Sequence, residues 1–431
     1  MPESTPVRGR PLYTGTPRTR TIAVAAGALA FGVTAWRTGA AARRRSSPFP
    51  RLPELDSTRR LLAEGYTFIS DSCRRLETDV FETRLLMQPV FCARGEDAAR
   101  MFYTPGRFTR QGAIPLTTLL PLQDRGSIQT LDGGRHRARK RLFLDLLTAR
   151  DRIERLSAIT VDEWHQSVHR WQRHSSIVFH DEIAQLLCRA ACRWAGVPLA
   201  DAEVAARTHA FVEMVEGAGR VGPRTWRALR RRRETERWLR SVVGAVRDGR
   251  LDAAPGSVLH AIASYRERSG ELLNVRTAVV ELINVLRPIV AVARYATFAA
   301  LALHQHRPAR LRLQGHSEEY LHGFAQEVRR FYPFFPAVGG VARTAFEWRG
   351  HRFDQGTWVV LDVYGTNHDP RLWPRPEQFS PERFTRWDGD PFTLIPQGGG
   401  DASETHRCPG EDITLGLIKT LTRQLVRLSY D

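Results

Sequence analysis

The chain has 431 residues, 42% of them apolar, and a formal charge of +18 carried largely by arginine. That length can bury a large core. Five scattered cysteines without a CxxC pair exclude a disulfide framework and a cysteine zinc site, and point to a reducing compartment.

Residues 1–48 read as an N-terminal extension, poorly ordered or weakly membrane-associated. Within it, the apolar segment Thr21–Trp36 is shorter than the about 20 residues that a spanning helix needs. Arginines flank it on both sides, which argues against export. The reading is therefore a cytoplasmic protein, with weak membrane association through residues 21–36 as the alternative. Residues 49–431 read as one continuous, mainly helical domain.

Elements follow in order. Asp56 and Ser57 precede an apolar-periodic run and form a cap signal. MQPVFCARG, Met87–Gly95, reads as a short strand, and GEDAARMFY as a helix. HRARKRLFLDLLT, His136–Thr148, is an amphipathic helix with a basic face. Helical patterns fill 151–220 and 224–249, and a long one runs from Val275 to about His306. Cys188 and Cys192 share one helix face and read as small core residues. AFEWRGHRFDQGTWVVLDVYG alternates and carries turn glycines, so the strands there are short.

The densest basic run is RTWRALRRRRETERWLR, Arg224–Arg240. Trp226 and Trp238 within it could stack on bases. A solvated, arginine-coated helix is the plainer reading. No nucleic-acid fold motif accompanies the run, so no nucleic-acid partner is expected.

IPQGGGDASETHRCPGED, Ile395–Asp412, places one cysteine after three glycines and before a helical stretch. A phosphate loop would need GxxxxGK[ST], which is absent. A nucleophile would need a base, and the adjacent His406 points the other way in an extended loop. A thiolate at a helix N-terminus gains from the dipole and the free N–H donors. Glycines permit close backbone approach to a flat, bulky group, and haem held by a cysteine thiolate has these needs.

HRCPGE resembles the haem-binding loop of the cytochrome P450 superfamily. EVRR, Glu327–Arg330, matches its ExxR pair, and PERF, Pro381–Phe384, its arginine-bearing meander, in the same order. The Glu327, Arg330 and Arg383 cluster is then structural. The implied fold is a large helical domain with a small β-rich part. Haem b would lie buried between the long central helix and the cysteine loop, with Cys408 as iron ligand.

Oxygen-activating members carry an acid followed by an alcohol on that long helix. This chain has Arg287–Pro288 in VVELINVLRPIVAVARYATFAALALH. Proline bends a helix and opens room, and arginine offers a planar fork for a carboxylate. A clamped substrate carboxylate can supply the missing acid–base group for hydrogen peroxide. That logic, and the stretches EGYTFI, RFTRQGAIP, LDGGRHRARKRLF, ELINVLRPIVA, QEVRRFYPFFP, DVYGTNHDPRLW and IPQGGGD, resemble the bacterial fatty-acid peroxygenase branch from about Leu55 onward.

The resemblance implies long-chain fatty-acid hydroxylation, with decarboxylation as a second outcome, and no redox-partner protein. It places Gln129 in the distal pocket, and His136, Lys140, Arg110 and His406 at the haem propionates. Leu122-Gln123-Asp124 departs from the branch's Leu-Phe-Gly, which leaves chain length and position of attack open. Arg294 reads as structural. Two rival readings stand: a monooxygenase using dioxygen and redox partners, and a non-enzymatic basic surface-binding protein.

Overall fold

The computed structural model describes residues 47–220, 222–315 and 317–428. The apolar segment Thr21–Trp36 lies outside these residues, as does all but the end of the 1–48 extension.

The chain enters beside the first strand, where the Leu52 N–H donates to Glu82 O at 3.0 Å and the Glu82 N–H to Pro50 O at 2.9 Å. Helix α1 (Thr58–Glu64) follows, then α2 (Phe68–Arg75). The expected cap splits in two. Asp56 accepts the Thr58 N–H at 2.9 Å, whereas Ser57 turns its hydroxyl to Thr83 at 2.7 Å. Ser57 thus ties α1 to the sheet.

Strands β1 (Val80–Leu85) and β2 (Gln88–Ala93) form a hairpin, followed by α3 (Glu96–Phe102) and the short β3 (Phe108–Thr109). Helices α4 (Leu116–Leu122) and α5 (Gly133–Leu147) lead into the helical body. The body comprises α6 (Arg150–Trp171), α7 (Phe179–Ala195), α8 (Val204–Glu216), α9 (Pro223–Arg247), α10 (Val258–Ala263) and α11 (Val275–Gln305). Then come α12 (Arg307–Gln314), α13 (Glu318–Phe331), strands β4 (Ala337–Ala342), β5 (Phe346–Trp348), β6 (His351–Phe353) and β7 (Trp358–Asp362), α14 (Val363–Asn367) and α15 (Glu411–Arg427).

The five-stranded sheet has order β1-β2-β7-β4-β3, and β5 and β6 form a separate ribbon. Only the β2–β7 pair is parallel. Neither β1 nor β4 is in the sequence reading. β4 carries two glycines, which weaken strand preference. Packing requires them: a Cβ on Gly339 would meet Ala113 O at 2.6 Å, and one on Gly340 the Phe102 ring at 3.0 Å.

Helix α11 is the spine. It is apolar on nearly every face, and only a helix at the centre of a core can bury such a sequence. The Asn274 side chain caps it, accepting the Arg276 N–H at 2.9 Å. Helices α7, α9 and α15 pack against it, and Cys188 and Cys192 lie buried in that core as expected. Pro288 does not interrupt α11, which stays helical for 31 residues.

The outer face of the arginine-rich α9 is solvated and carries ion pairs such as Arg230–Glu234 at 3.0 Å, while Arg232 on its inner side is buried, pairs with Glu236 at 2.7 Å and donates to Leu122 O at 3.1 Å. Trp238 lies beneath the Arg207 guanidinium at 4.5 Å, which leaves Trp226 as the exposed tryptophan of the run.

Candidate active site around Cys408 and Arg287

The cysteine loop is held from several sides. The Cys408 N–H donates to Gln397 O at 2.8 Å. Gln397 is fixed in turn: its Oε1 accepts from Arg329 at 3.1 Å and its Nε2 donates to Thr414 at 3.1 Å. Arg407 pairs with Glu411 at 2.6 Å, and Arg329 with the other oxygen of the same carboxylate. Behind the loop, Arg330 grips Glu327 with two bonds of 2.7 and 2.8 Å, and Arg383 reaches it at 3.2 Å. This buried cluster is structural, as the ExxR pattern predicts.

Burial pushes the Cys408 thiol up; the Gly410 N–H, Lys140 and Gln397 pull it the other way. The loop opens onto the N-terminus of α15, where free N–H donors favour a thiolate.

The three glycines have a different reason from the one the sequence supplies. A Cβ on Gly398 would meet Arg407 Cα at 2.9 Å. One on Gly399 would meet Pro391 O at 2.8 Å and Ile395 Cγ2 at 2.9 Å. One on Gly400 would meet Thr405 Cγ2 at 3.0 Å. All three missing side chains face protein, so the glycines let the loop fold on itself.

Helix α5 brings His136 and Lys140 to this loop. Lys140 donates to Thr405 O at 3.2 Å and to Arg407 O, and burial pushes its amine down to about 8. The His136 and His406 rings sit 4.3 Å apart. Burial holds His136 down at about 4, and His406 well below its ordinary value. Arg110 lies buried over the Phe102 ring at 4.7 Å.

Arg110, His136 and His406 line one pocket of about 70 Å³. Asp132 and Glu404 line it too, the first accepting from Thr109 at 2.7 Å and the second paired at 3.7 Å with Arg137 of the same pocket. The pocket therefore offers the Arg110 guanidinium and two imidazoles that burial keeps neutral, and His136 Nε2 has no hydrogen-bond partner. Such a cradle suits an anionic ligand.

A second cluster forms on α11. Pro288 is the one exposed residue between Ala278 and Val290. Beside it, Arg287 is buried with an unpartnered NH1, and none of the ion pairs among the described residues includes it. Burial, reinforced by the Arg232 charge, pushes its guanidinium down to about 9. Gln129 belongs here through Asn284, whose amide reaches Gln129 Oε1 at 3.5 Å and Glu281 at 3.2 Å.

Glu281 is fully buried. It accepts from the Ile128 N–H at 2.9 Å and from Arg139 at 2.7 Å. Arg139 also bonds Glu267 at 2.9 Å. Glu281, Asn284 and Arg139 are absent from the sequence reading. One signal was available: a carboxylate within an apolar helical run is rare unless paired. Helix α5 thus serves both clusters, giving Arg139 to the distal one and His136 and Lys140 to the cysteine loop.

The departure at Gln123 and Asp124 resolves in part. Asp124 pairs with Arg276 at 3.3 Å, and Gln123 keeps an unpartnered buried Oε1. Arg294 lies over the Phe334 ring at 5.6 Å, a structural contact.

Haem fits these residues. No group of three His, Cys, Asp or Glu side chains able to hold a metal occurs among the described residues. Cys408, at a helix N-terminus, offers the single protein sulfur that a haem iron takes, and Arg110 with the unpartnered His136 Nε2 can meet its propionates.

The family profile named Cytochrome P450 matches residues 312–427. Among curated proteins, rhazimal synthase of Alstonia scholaris is 38% identical over 108 residues, covering 24% of this chain and 20% of that one. The chain spans about a fifth of the length of the curated relatives it matches. Solved structures agree over far more. Cytochrome P450SP alpha in complex with (R)-ibuprophen is 44% identical, with a TM-score of 0.84, covering 86% of this chain and 91% of that one. Cytochrome P450EX alpha with myristic acid is 39% identical, with a TM-score of 0.84, covering 88% and 90%. With that coverage, and with the cysteine loop and Arg287–Pro288 in place, the chain belongs to the cytochrome P450 family, in its bacterial fatty-acid peroxygenase branch.

Proposed function

We propose that the protein is a haem-thiolate peroxygenase that hydroxylates long-chain fatty acids with hydrogen peroxide, with decarboxylation as a second outcome. The observation that carries this reading is Arg287, a buried guanidinium with an unpartnered nitrogen beside the exposed Pro288. A buried charge without a partner is costly, and a fatty-acid carboxylate would satisfy it with a two-pronged hydrogen bond. Two relatives are solved with carboxylic acids, (R)-ibuprophen and myristic acid.

The distal wall favours this chemistry over dioxygen activation. Glu281 is the carboxylate nearest Arg287 along α11, and Arg139, the Ile128 N–H and Asn284 already engage it. Three donors already hold it, which leaves the substrate's own carboxylate, positioned by Arg287, as the proton acceptor and donor there. Asn284 orients Gln129 at the same wall.

Haem, when bound, supplies the oxidising iron, with Cys408 as its thiolate ligand. Arg110, His136 and His406 would hold its propionates, and Lys140 would brace the loop that presents Cys408. Peroxide takes the place of a redox partner. No helix among the described residues is long and apolar enough to cross a membrane. A cytoplasmic location, with weak membrane contact through Thr21–Trp36, completes the proposal.

The test is product analysis by mass spectrometry of the haem-loaded protein given hydrogen peroxide and a ladder of fatty acids. Arg287→Ala should abolish oxidation while the thiolate-haem spectrum persists. Turnover retained in Arg287→Ala would place the clamp elsewhere. Turnover only with dioxygen and a reductase system would establish the monooxygenase reading.

A further inference from the structure

The tip of the β1–β2 hairpin is built against the usual rules for turns. Leu85 pairs with Gln88, so the connection is two residues, Leu86 and Met87. Both have positive φ, 52° and 60°. Two-residue turns with this sign at both positions strongly prefer Asn-Gly or Asp-Gly, because a side chain with a Cβ is strained there. This turn instead places two large apolar side chains in that conformation, 56% and 55% exposed.

The rest of the patch is near at hand. The Leu86 N–H donates to Thr58 Oγ1 and the Met87 N–H to Asp56 Oδ2, each at 2.6 Å. Those bonds seat the tip on the start of α1, between Leu55 and Leu62, which are 68% and 63% exposed. Four of the ten large hydrophobic side chains exposed among the described residues thus gather at one edge. Scattered exposed leucines are ordinary, but a gathered patch marks an interaction surface.

The surrounding charges say what covers it. The acids are already engaged: Glu54 and Glu64 by Arg60, at 2.9 and 2.7 Å, and Asp56 by the two backbone N–H groups. Arg51 and Arg59 are exposed, and neither has an acid partner among the described residues. Apolar side chains ringed by uncommitted arginines match the boundary between acyl chains and anionic headgroups.

The chain also enters the fold here. The Arg51 backbone forms an isolated β-bridge with Glu82 of β1, and the sequence before it holds Arg43–Arg45 and the apolar segment Thr21–Trp36. We infer that Leu55, Leu62, Leu86 and Met87, with Arg51 and Arg59, form a surface that docks on an anionic lipid bilayer. This surface uses none of the residues assigned to fatty-acid oxidation, so it stands or falls separately from that reading.

The test is co-sedimentation of the full-length, haem-loaded protein with vesicles of phosphatidylglycerol and phosphatidylcholine. Leu86→Asn with Met87→Gly supplies the residues that the turn prefers, so the variant should fold at least as stably as the parent. Its partition onto anionic vesicles should nonetheless fall by about 10-fold or more. Leu55→Ser with Leu62→Ser, which leaves the turn untouched, should lower it in the same direction. Arg51→Gln with Arg59→Gln should weaken binding to anionic vesicles and leave binding to neutral ones unchanged. Leu311→Ser, a substitution of an exposed leucine on α12, should change neither.

Three outcomes overturn the inference. The first is a hairpin variant that binds as the parent does, which assigns all contact to residues 21–36. The second is a parent that fails to bind anionic vesicles. The third is a parent dimer in sedimentation velocity that the hairpin variant breaks, which assigns the patch to a second copy of the chain.

Discussion

Arg139 and Glu281 form a buried ion pair of 2.7 Å that joins the helix bearing His136 and Lys140 to the helix bearing Arg287. Removing one partner of such a pair strands the other charge, which costs about 3–5 kcal/mol. Glu281→Ala should therefore lower the free energy of unfolding by about that amount and weaken haem retention. Glu281→Gln, which keeps an acceptor for the Ile128 N–H, should cost less. Denaturant unfolding of both variants checks the ranking, and a loss below about 1 kcal/mol in Glu281→Ala would contradict the pair's importance.

The geometry of Arg287 can be separated from its charge. Lysine keeps the cation but loses the planar fork. Arg287→Lys should retain fatty-acid binding in spectral titrations, weakened, and lose oxidation by about 10-fold or more, because a point charge does not fix the carboxylate's angle. Parent-like turnover in Arg287→Lys would show that charge alone suffices.

The glycine finding also has a direct test. Gly399 needs no unusual φ, so alanine there adds only a Cβ, which would sit 2.8 Å from Pro391 O and 2.9 Å from Ile395. Overpacking of this kind costs about 1–3 kcal/mol. Gly399→Ala should lower stability by that order while haem affinity stays unchanged in the folded fraction. A stable variant with weakened haem binding would support the ligand-approach reading.

His368 predicts the acid limb of stability. Burial, then the Arg330 charge, pushes its imidazole down to about 4. It stacks on Tyr364 at 4.1 Å and shares a 2.9 Å hydrogen bond with the Tyr364 carbonyl. An unfolded histidine titrates near about 6.5. As pH falls from about 6.5 towards 4, the unfolded chain takes up a proton that the folded chain refuses, so stability is lost across that window; above it both states are neutral. The loss from this group reaches at most about 3 kcal/mol. His368→Asn should flatten the acid limb by that order, read from unfolding free energies between about pH 4.5 and 7. An unchanged slope would assign the limb to other groups.

The sequence by itself determined the helical body, the long spine from Val275, the cysteine loop, the ExxR cluster and the Arg287–Pro288 pair. Each is a local pattern: a period of 3.6, a cap, or a spacing within one stretch. It could not show β1 or β4, since a strand's stability lies in neighbours supplied from elsewhere in the chain. Nor could it show that the missing side chains of Gly398, Gly399 and Gly400 face atoms of Tyr103, Pro391, Ile395, Thr405 and Arg407.

Tertiary structure alone decided which charges are paired. Glu281 and Arg287 lie six residues apart on one helix, yet the first is fully engaged by α5 and its neighbours while the second keeps an unpartnered nitrogen. Burial makes that difference costly, and burial depends on which distant elements pack around each side chain. Local pattern named the groups that could act; packing decided which of them was left available.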